Sequence, residues 1–369
     1  MTDIRIPVDL LPADGRFGSG PSRIREAQLD ELVARGRDVL GTSHRQAPVK
    51  QLVASVRAQL AELYDLPEGY EVVLGNGGST TFWDAAAFGL IETRAQVASF
   101  GEFGGKFAKA AAAPWLQAPD VRQAPGGEVA LLEAAEGIDL YATPHNETST
   151  GAMITPKRVD APGALTMIDA TSSAGGTETS PAEWDVYYFA PQKNFGSDGG
   201  LWFALMSPAA IERIDRVGAS GRYIPESLSL TQAVANSRKE QTLNTPAVAT
   251  LSLLDSQLRW MLEFGGLPAL SARTKASSDH LYAWAEGRGW VTPFVQRPEY
   301  RSQVVATLDL APEVDSAQLR AILRENGVVD IDPYRKLGRN QLRVGTFASV
   351  PTSDVERLAA AIDYVAERL

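Results

Sequence analysis

The sequence predicts an α/β protein of two domains, a large one built round a mostly parallel central sheet and a smaller α+β one at the C-terminus. Three observations carry that prediction. Short apolar runs at residues 71–74, 140–143, 165–168 and 186–190 each end in a polar or glycine-rich turn, the pattern of buried strands in an open α/β sheet. Apolar residues at helical spacing surround them, as Val49, Leu52, Val53, Val56, Leu60 and Leu63 show. The chain has 369 residues, more than one ordinary domain of about 100 to 200.

Taken in order, residues 1–15 read as an N-terminal segment and residues 16–265 as the large domain. The helix over 49–63 leads to a strand at Glu71–Leu74, then to the turn Gly75-Asn76-Gly77-Gly78-Ser79-Thr80-Thr81, which opens a helix near Phe82. Ser207-Pro208 and Thr245-Pro246 each read as an N-cap with proline at the first helical position. The second of these helices is expected to reach about Phe264, where Gly265-Gly266-Leu267-Pro268 breaks it and marks the domain boundary. The small domain, 266–369, is expected to hold a strand over 303–308, a helix over 316–326 stopped by Gly327, and strands near Val328 and Leu342. A last helix begins at the capping-box pair Ser353 and Glu356, with Val355, Leu358, Ala359, Ile362 and Val365 on one stripe.

Composition excludes several classes of function. The formal charge of -10 repels phosphate at long range, so neither nucleic acid nor an anionic membrane is expected as a partner. Absent cysteine removes disulfides, thiolate metal sites and a cysteine nucleophile. His44, His145 and His280 are too widely spaced to suggest a metal site. No run is apolar and long enough to cross a bilayer and no secretory signal opens the chain, so a cytoplasmic location is expected.

Ligands of open α/β sheets bind beyond the carboxyl ends of the strands, so chemistry is expected in the turns. The glycine-rich turn after residue 74 offers N–H groups, a helix dipole and hydroxyls to a phosphate, although a plain tight turn needs the same glycines. Its spacing is not the dinucleotide-binding Gly-x-Gly-x-x-Gly. Asp169 ends the run 165–168. A buried carboxylate there needs a cation or several donors, which a protonated pyridine nitrogen or the Thr171-Ser172-Ser173 turn would each supply. Lys193 follows the run 186–190. Its plain reading is a surface lysine, but a desolvated amine forms Schiff bases readily, and with Asp169 at the preceding strand end one ring can bridge the two.

In order and spacing, Gly77-Gly78-Ser79, Asn146-Glu147-Thr148, Asp169 and Gln192-Lys193-Asn194 resemble the fold-type I, pyridoxal-phosphate-dependent aminotransferases of the class V group. Within it the resemblance is to the phosphoserine aminotransferase family in its actinobacterial branch, through Gly18-Ser19-Gly20-Pro21, Thr42-Ser43-His44-Arg45, Ala190-Pro191-Gln192-Lys193-Asn194 and Asn244-Thr245-Pro246. It runs through most of the chain. The resemblance implies pyridoxal 5′-phosphate as cofactor, held by Lys193 as a Schiff base, with Asp169 keeping the ring nitrogen protonated. Thr148 would bond the ring hydroxyl. Ser79, Thr80 and Gln192 would bind the cofactor phosphate, which Asn244 and Thr245 would reach from the second subunit of a homodimer. Phe103 stands where many members stack a tryptophan.

For the substrate, the resemblance implies His44 and Arg45 near its phosphate or carboxylate end and Arg343 on its α-carboxylate, a bidentate task suited to guanidinium. A His-Arg pair that many members carry before that arginine is missing, and Arg335, Lys336 or Arg339 is expected to substitute. The implied reaction interconverts L-glutamate and 3-phosphohydroxypyruvate with 2-oxoglutarate and O-phospho-L-serine, in serine biosynthesis. Some relatives also serve vitamin B6 synthesis. An alanine- or serine-glyoxylate aminotransferase would lack the second phosphate-sized basic subsite. A non-catalytic cofactor-binding module would have no need of both Lys193 and Asp169, and a cysteine desulfurase normally needs a cysteine.

Overall fold

Buried runs and helical stripes alternate through most of the chain, and a computed structural model describes residues 4–369. Helices α1 (Glu26–Val39) and α2 (Ala47–Leu63) precede strand β1 (Glu71–Asn76). There follow α3 (Ser79–Gly89), β2 (Ala95–Ser99), α4 (Glu102–Ala110), β3 (Asp120–Gln123) and β4 (Leu140–Pro144). A short pair, β5 (Asn146–Glu147) and β6 (Ala152–Met153), leads to β7 (Leu165–Asp169), β8 (Val186–Phe189) and β9 (Leu201–Met206). Next come α5 (Pro208–Gly218), α6 (Leu230–Ser237), α7 (Val248–Glu263) and α8 (Gly266–Glu286). The chain ends with β10 (Val291–Pro293), β11 (Val305–Leu310), α9 (Ser316–Glu325), β12 (Gln341–Gly345) and α10 (Thr352–Ala366).

Seven strands form one sheet in the order β1-β9-β8-β7-β4-β2-β3. Only β9 runs against its neighbours. The contiguous apolar runs of β4, β7 and β8 follow from burial on both faces. Met167 and Tyr188 face a core shared with α3 to α6, while Ile168 and Tyr187 face one shared with α2 and α7. That is the two-residue period of a strand serving two cores. The second sheet, β10-β11-β12, is antiparallel and packs on α8, α9 and α10. Ile4, Ile6 and Phe17 join that same core, so the N-terminal segment packs with the C-terminal elements. Helix α8 serves both regions: Leu267 and Leu270 lie in the core of the large sheet, Leu281 and Trp284 in the other.

Several boundaries differ from the sequence reading. Helix α3 opens at Ser79 rather than near Phe82, because extended Gly78 is its N-cap. The hydroxyls of Ser79, Thr80 and Thr81 therefore belong to its first turn. Ser207 caps α5 as expected, its hydroxyl accepting from the Ala210 N–H at 3.2 Å. Thr245 caps nothing: α7 starts at Val248, with Ala247 before it. The glycine break is two positive-φ residues, Gly265 at φ 114° and Gly266 at φ 68°, and α8 begins at the second of them. Near Val328 there is no strand, only one parallel bridge from Val329 to Arg16. Helix α10 begins at Thr352 after Pro351, which leaves Ser353 inside the first turn rather than at a capping box. Among the described residues no helix is long and apolar enough to cross a membrane.

Candidate active site

The chemistry-bearing turns lie together at the carboxyl ends of the parallel strands. β7 ends on Asp169, in register with Pro144 of β4 and Tyr188 of β8. The Asp169 side chain is buried and accepts from the Thr171 N–H at 3.0 Å and the Thr171 hydroxyl at 2.6 Å. That hydroxyl in turn lies 2.7 Å from the Ser79 hydroxyl in the first turn of α3. Burial raises the Asp169 carboxyl, and the bonds from Thr171, Tyr188 and Trp83 only partly hold it down. Trp83 Nε1 donates to the Tyr188 hydroxyl at 2.8 Å. Every one of these hydrogen-bond partners is neutral, so a cation placed against Asp169 would gain from its charge, which the Lys193 amine now feels only from a distance.

Lys193 follows β8 and is half-buried, with Nζ donating to the Ser19 carbonyl at 2.8 Å. Gly20, at φ 135°, makes room for it: a Cβ there would stand 1.7 Å from Nζ. Burial first, then the Arg343 cation, push the Lys193 amine down to about 8 against the pull of Asp169. Arg343, on β12, donates from Nη1 to the Thr148 carbonyl at 3.1 Å, and its guanidinium lies 5.3 Å from the Tyr334 ring centroid. The Thr148 hydroxyl and the Asn146 amide both donate to the Ser172 hydroxyl at 2.8 Å. Asn194 Nδ2 donates to the Ser172 carbonyl at 2.7 Å, and its Oδ1 accepts from the Ala348 N–H at 3.1 Å. One recess is lined by Asp169, Tyr188 and the half-buried Phe103.

The structure thus brings Ser79, Phe103, Thr148, Asp169, Lys193 and Arg343 into one neighbourhood. Gln192 sits beside Lys193, its Oε1 buried and unpartnered. Thr80 is exposed on α3. Another group of residues gathers round Asn76 at the end of β1. Asn76 Nδ2 donates to the Thr245 carbonyl at 3.0 Å and its Oδ1 accepts from the Asn244 N–H at 3.3 Å. The Thr245 hydroxyl lies 3.2 Å from His44 Nδ1, while His44 Nε2 has no partner. Burial, then neighbouring Arg45, lower the His44 pKa. Asn244, Thr245 and Arg45 are exposed. Among the described residues none of this group hydrogen-bonds Asp169 or Lys193.

The basic loop divides as well. Lys336 pairs with Glu102 at the start of α4. Arg339 pairs with Asp309, Nε to Oδ1 3.0 Å. Arg335 is exposed and makes no ion pair among the described residues. The sequence reading gave no role to Ser172, to the Ser19 carbonyl or to Tyr188 and Trp83. For Ser172 a signal existed in the hydroxyl run Thr171-Ser172-Ser173.

A half-buried amine after β8, a buried carboxylate among neutral donors at the end of the neighbouring β7, and a hydroxyl-rich helix start after β1 on the same side of the sheet make a setting suited to a flat, anionic carbonyl compound. Two buried acceptors, Gln192 Oε1 and Asn146 Oδ1, and one buried donor, Arg343 Nε, have no partner, so hydrogen bonds remain here for bound groups that donate and accept. The chain belongs to the aminotransferase class-V family, whose profile matches residues 21–329. It is 55% identical over 374 aligned residues to the phosphoserine aminotransferase of a Nocardioides species, covering 100% of both chains. In fold it is similar to a phosphoserine aminotransferase of Cytophaga hutchinsonii, with TM-score 0.88, 19% identity, and 95% of this chain and 99% of that one covered. It is also similar to the pyridoxal-phosphate-bound phosphoserine aminotransferase of Trichomonas vaginalis, with TM-score 0.83, 19% identity, and 95% and 99% covered.

Proposed function

We propose that the protein is a pyridoxal-phosphate-dependent aminotransferase, a cytoplasmic homodimer that interconverts 3-phosphohydroxypyruvate and L-glutamate with O-phospho-L-serine and 2-oxoglutarate. The observation that carries this reading is the placement of Lys193 just beyond β8 and of the buried Asp169 at the end of the neighbouring β7, with burial and Arg343 lowering the amine to about 8. The full-length relative at 55% identity supports the substrate. We read the chain as a segment over 1–15, a large domain over 16–265 and a small one over 266–369; the separate cores of the two sheets support two units, although Ile4, Ile6 and Phe17 pack in the core of the small one and Leu267 and Leu270 in that of the large one.

Near neutral pH a useful fraction of Lys193 is the neutral amine, able to add to an aldehyde. When bound, pyridoxal phosphate supplies an electron-withdrawing ring that takes up the charge released at the substrate α-carbon. Once the incoming amino group has displaced it from the aldehyde carbon, the freed Lys193 Nζ would take the proton from the substrate α-carbon as general base and give it up as general acid to the former aldehyde carbon. Asp169 would hold a protonated ring nitrogen, a cation that offsets the cost of its own burial among neutral donors. Thr148 would orient the ring hydroxyl and Phe103 would offer an aromatic face for stacking. Ser79, Thr80 and Gln192 bind the cofactor phosphate at the N-terminus of α3. The exposed Asn244 and Thr245 reach the same phosphate in the second copy of the chain.

Arg343 grips the substrate α-carboxylate, and its partial burial strengthens that pair relative to one in water. Arg45 and Arg335 are exposed cations without an ion pair among the described residues, and with His44 they serve the substrate phosphate. Lys336 and Arg339 are already engaged by Glu102 and Asp309. The test adds O-phospho-L-serine, L-serine, L-alanine or 4-phosphohydroxy-L-threonine to the cofactor-loaded protein and follows its visible absorbance. Phosphoserine should change it at the lowest concentration. A change with alanine alone would overturn the substrate assignment, and the threonine derivative tests a role in vitamin B6 synthesis.

A further inference from the structure

Glu147 stands between Asn146 and Thr148 and has no part in the reaction above, yet its side chain is 0% exposed. No lysine or arginine pairs with it among the described residues. A carboxylate so placed costs several kcal/mol unless enough donors surround it. Its donors come from α4 and from its own loop. One oxygen accepts from the Phe103 and Gly104 N–H groups, both at 3.0 Å. The other accepts from the Ser149 N–H at 3.2 Å and the Ser149 hydroxyl at 2.7 Å. Ser149 Oγ also accepts from the Glu102 N–H at 3.0 Å. The first three helical N–H groups of α4, which no intrahelical carbonyl can satisfy, therefore all end on the loop after β4.

Gly101, the N-cap of α4, permits this approach. A Cβ on it would stand 2.3 Å from Glu147 Cγ and 2.6 Å from Ser149 Oγ. Phe103 is the second residue of α4, so the direction of its ring is set by the turn that Glu147 holds. We propose that Glu147 is a positioning residue that holds the Phe103 ring at the height required by a flat cofactor over Asp169. It thereby couples the stacking face on α4 to the Thr148 hydroxyl one residue further along its own loop. The proposal rests on the reading that pyridoxal phosphate binds over Asp169 with Phe103 against its ring.

The test is a double-mutant cycle on cofactor binding, read by visible circular dichroism as the cofactor-free chain is titrated with pyridoxal phosphate. Glu147→Gln should weaken binding about tenfold, the scale of a lost helix cap, and reduce the dichroic band. In a Phe103→Ala background the same change should cost less than about twofold, because a residue that acts through Phe103 has nothing left to position. Equal losses in both backgrounds would mean a merely structural Glu147 and would overturn the proposal. If Glu147→Gln fails to fold by far-ultraviolet circular dichroism, Ser149→Ala takes its place in the cycle, with about threefold weakening expected only where Phe103 is present. No substrate enters the cycle, so additive losses leave the phosphoserine assignment standing. Failure of the wild-type chain to bind the cofactor would sink both.

Discussion

Asp169, Thr148 and Ser172, at the carboxyl ends of β4 and β7, are buried and bonded within one chain, whereas Arg45, Asn244, Thr245 and Arg335 stand exposed at the rim. The inner region is closed by short side-chain bonds, as from Ser79 through Thr171 to Asp169. The rim has cations facing water and, in the half-buried His44, a buried ring nitrogen without a partner. The difference follows from what each region must meet. On the proposed reading, a ring that stays bound needs a surface already in place, a substrate phosphate that comes and goes needs cations that water can reach, as Arg45 and Arg335 are, and Asn244 and Thr245 stand exposed because their partner is in the second copy.

The comparison can be broken most directly at Lys193. Lys193→Ala should lower turnover at least about a thousandfold and abolish the absorbance of the covalent link, and a loss under tenfold would show that the inner region does not hold the chemistry. Arg343→Lys, which keeps the charge but not the planar fork, should lower kcat/KM for both amino acids about 10- to 100-fold without changing cofactor affinity. A matching fall in cofactor affinity would move Arg343 from the substrate to the inner region.

A third expectation concerns pH in the cofactor-free chain. Burial and Arg343 hold Lys193 at about 8, so attachment of pyridoxal phosphate should speed up about tenfold per pH unit below 8 and level off above it. Continued acceleration to pH 10 would mean an ordinary lysine. The sign for stability follows. Because the folded value lies below the unfolded 10.5, the charged amine costs stability below pH 8, and the cost fades as pH rises from 8 to 10.5. Lys193→Met should therefore be the more stable cofactor-free chain at pH 7, by about 1 to 3 kcal/mol, and lose that advantage above pH 10.

The smallest effects sharpen the rim. Arg335→Ala should raise KM for phosphoserine about tenfold, whereas Lys336→Ala and Arg339→Ala, each removing a cation already paired, should change it less than about threefold. The reverse order, measured by steady-state kinetics, would put the substrate phosphate on the paired side of the loop.

Local pattern went far where the chemistry is local. The runs that became β4, β7 and β8 were legible because burial on both faces demands unbroken apolar residues. β2, Ala-Gln-Val-Ala-Ser, was not legible: only Val97 among its residues is a strong strand former, and it is a strand because β4 and β3 pair with it on either side. Ser207-Pro208 and Thr245-Pro246 look alike in sequence, yet only the first caps a helix. The Thr245 hydroxyl instead meets His44, 201 positions away.

By itself the sequence determined which groups stand at the strand ends: Asp169 and Lys193 follow apolar runs, and hydroxyls follow the glycines of the β1 turn. Strand length and turn chemistry are short-range properties, so short-range patterns report them. Only the tertiary structure decided which cations remain available and what holds Phe103. The Lys336–Glu102 pair spans 234 positions and the Phe103–Glu147 bond 44, and contacts over such separations are made by packing that no local pattern encodes.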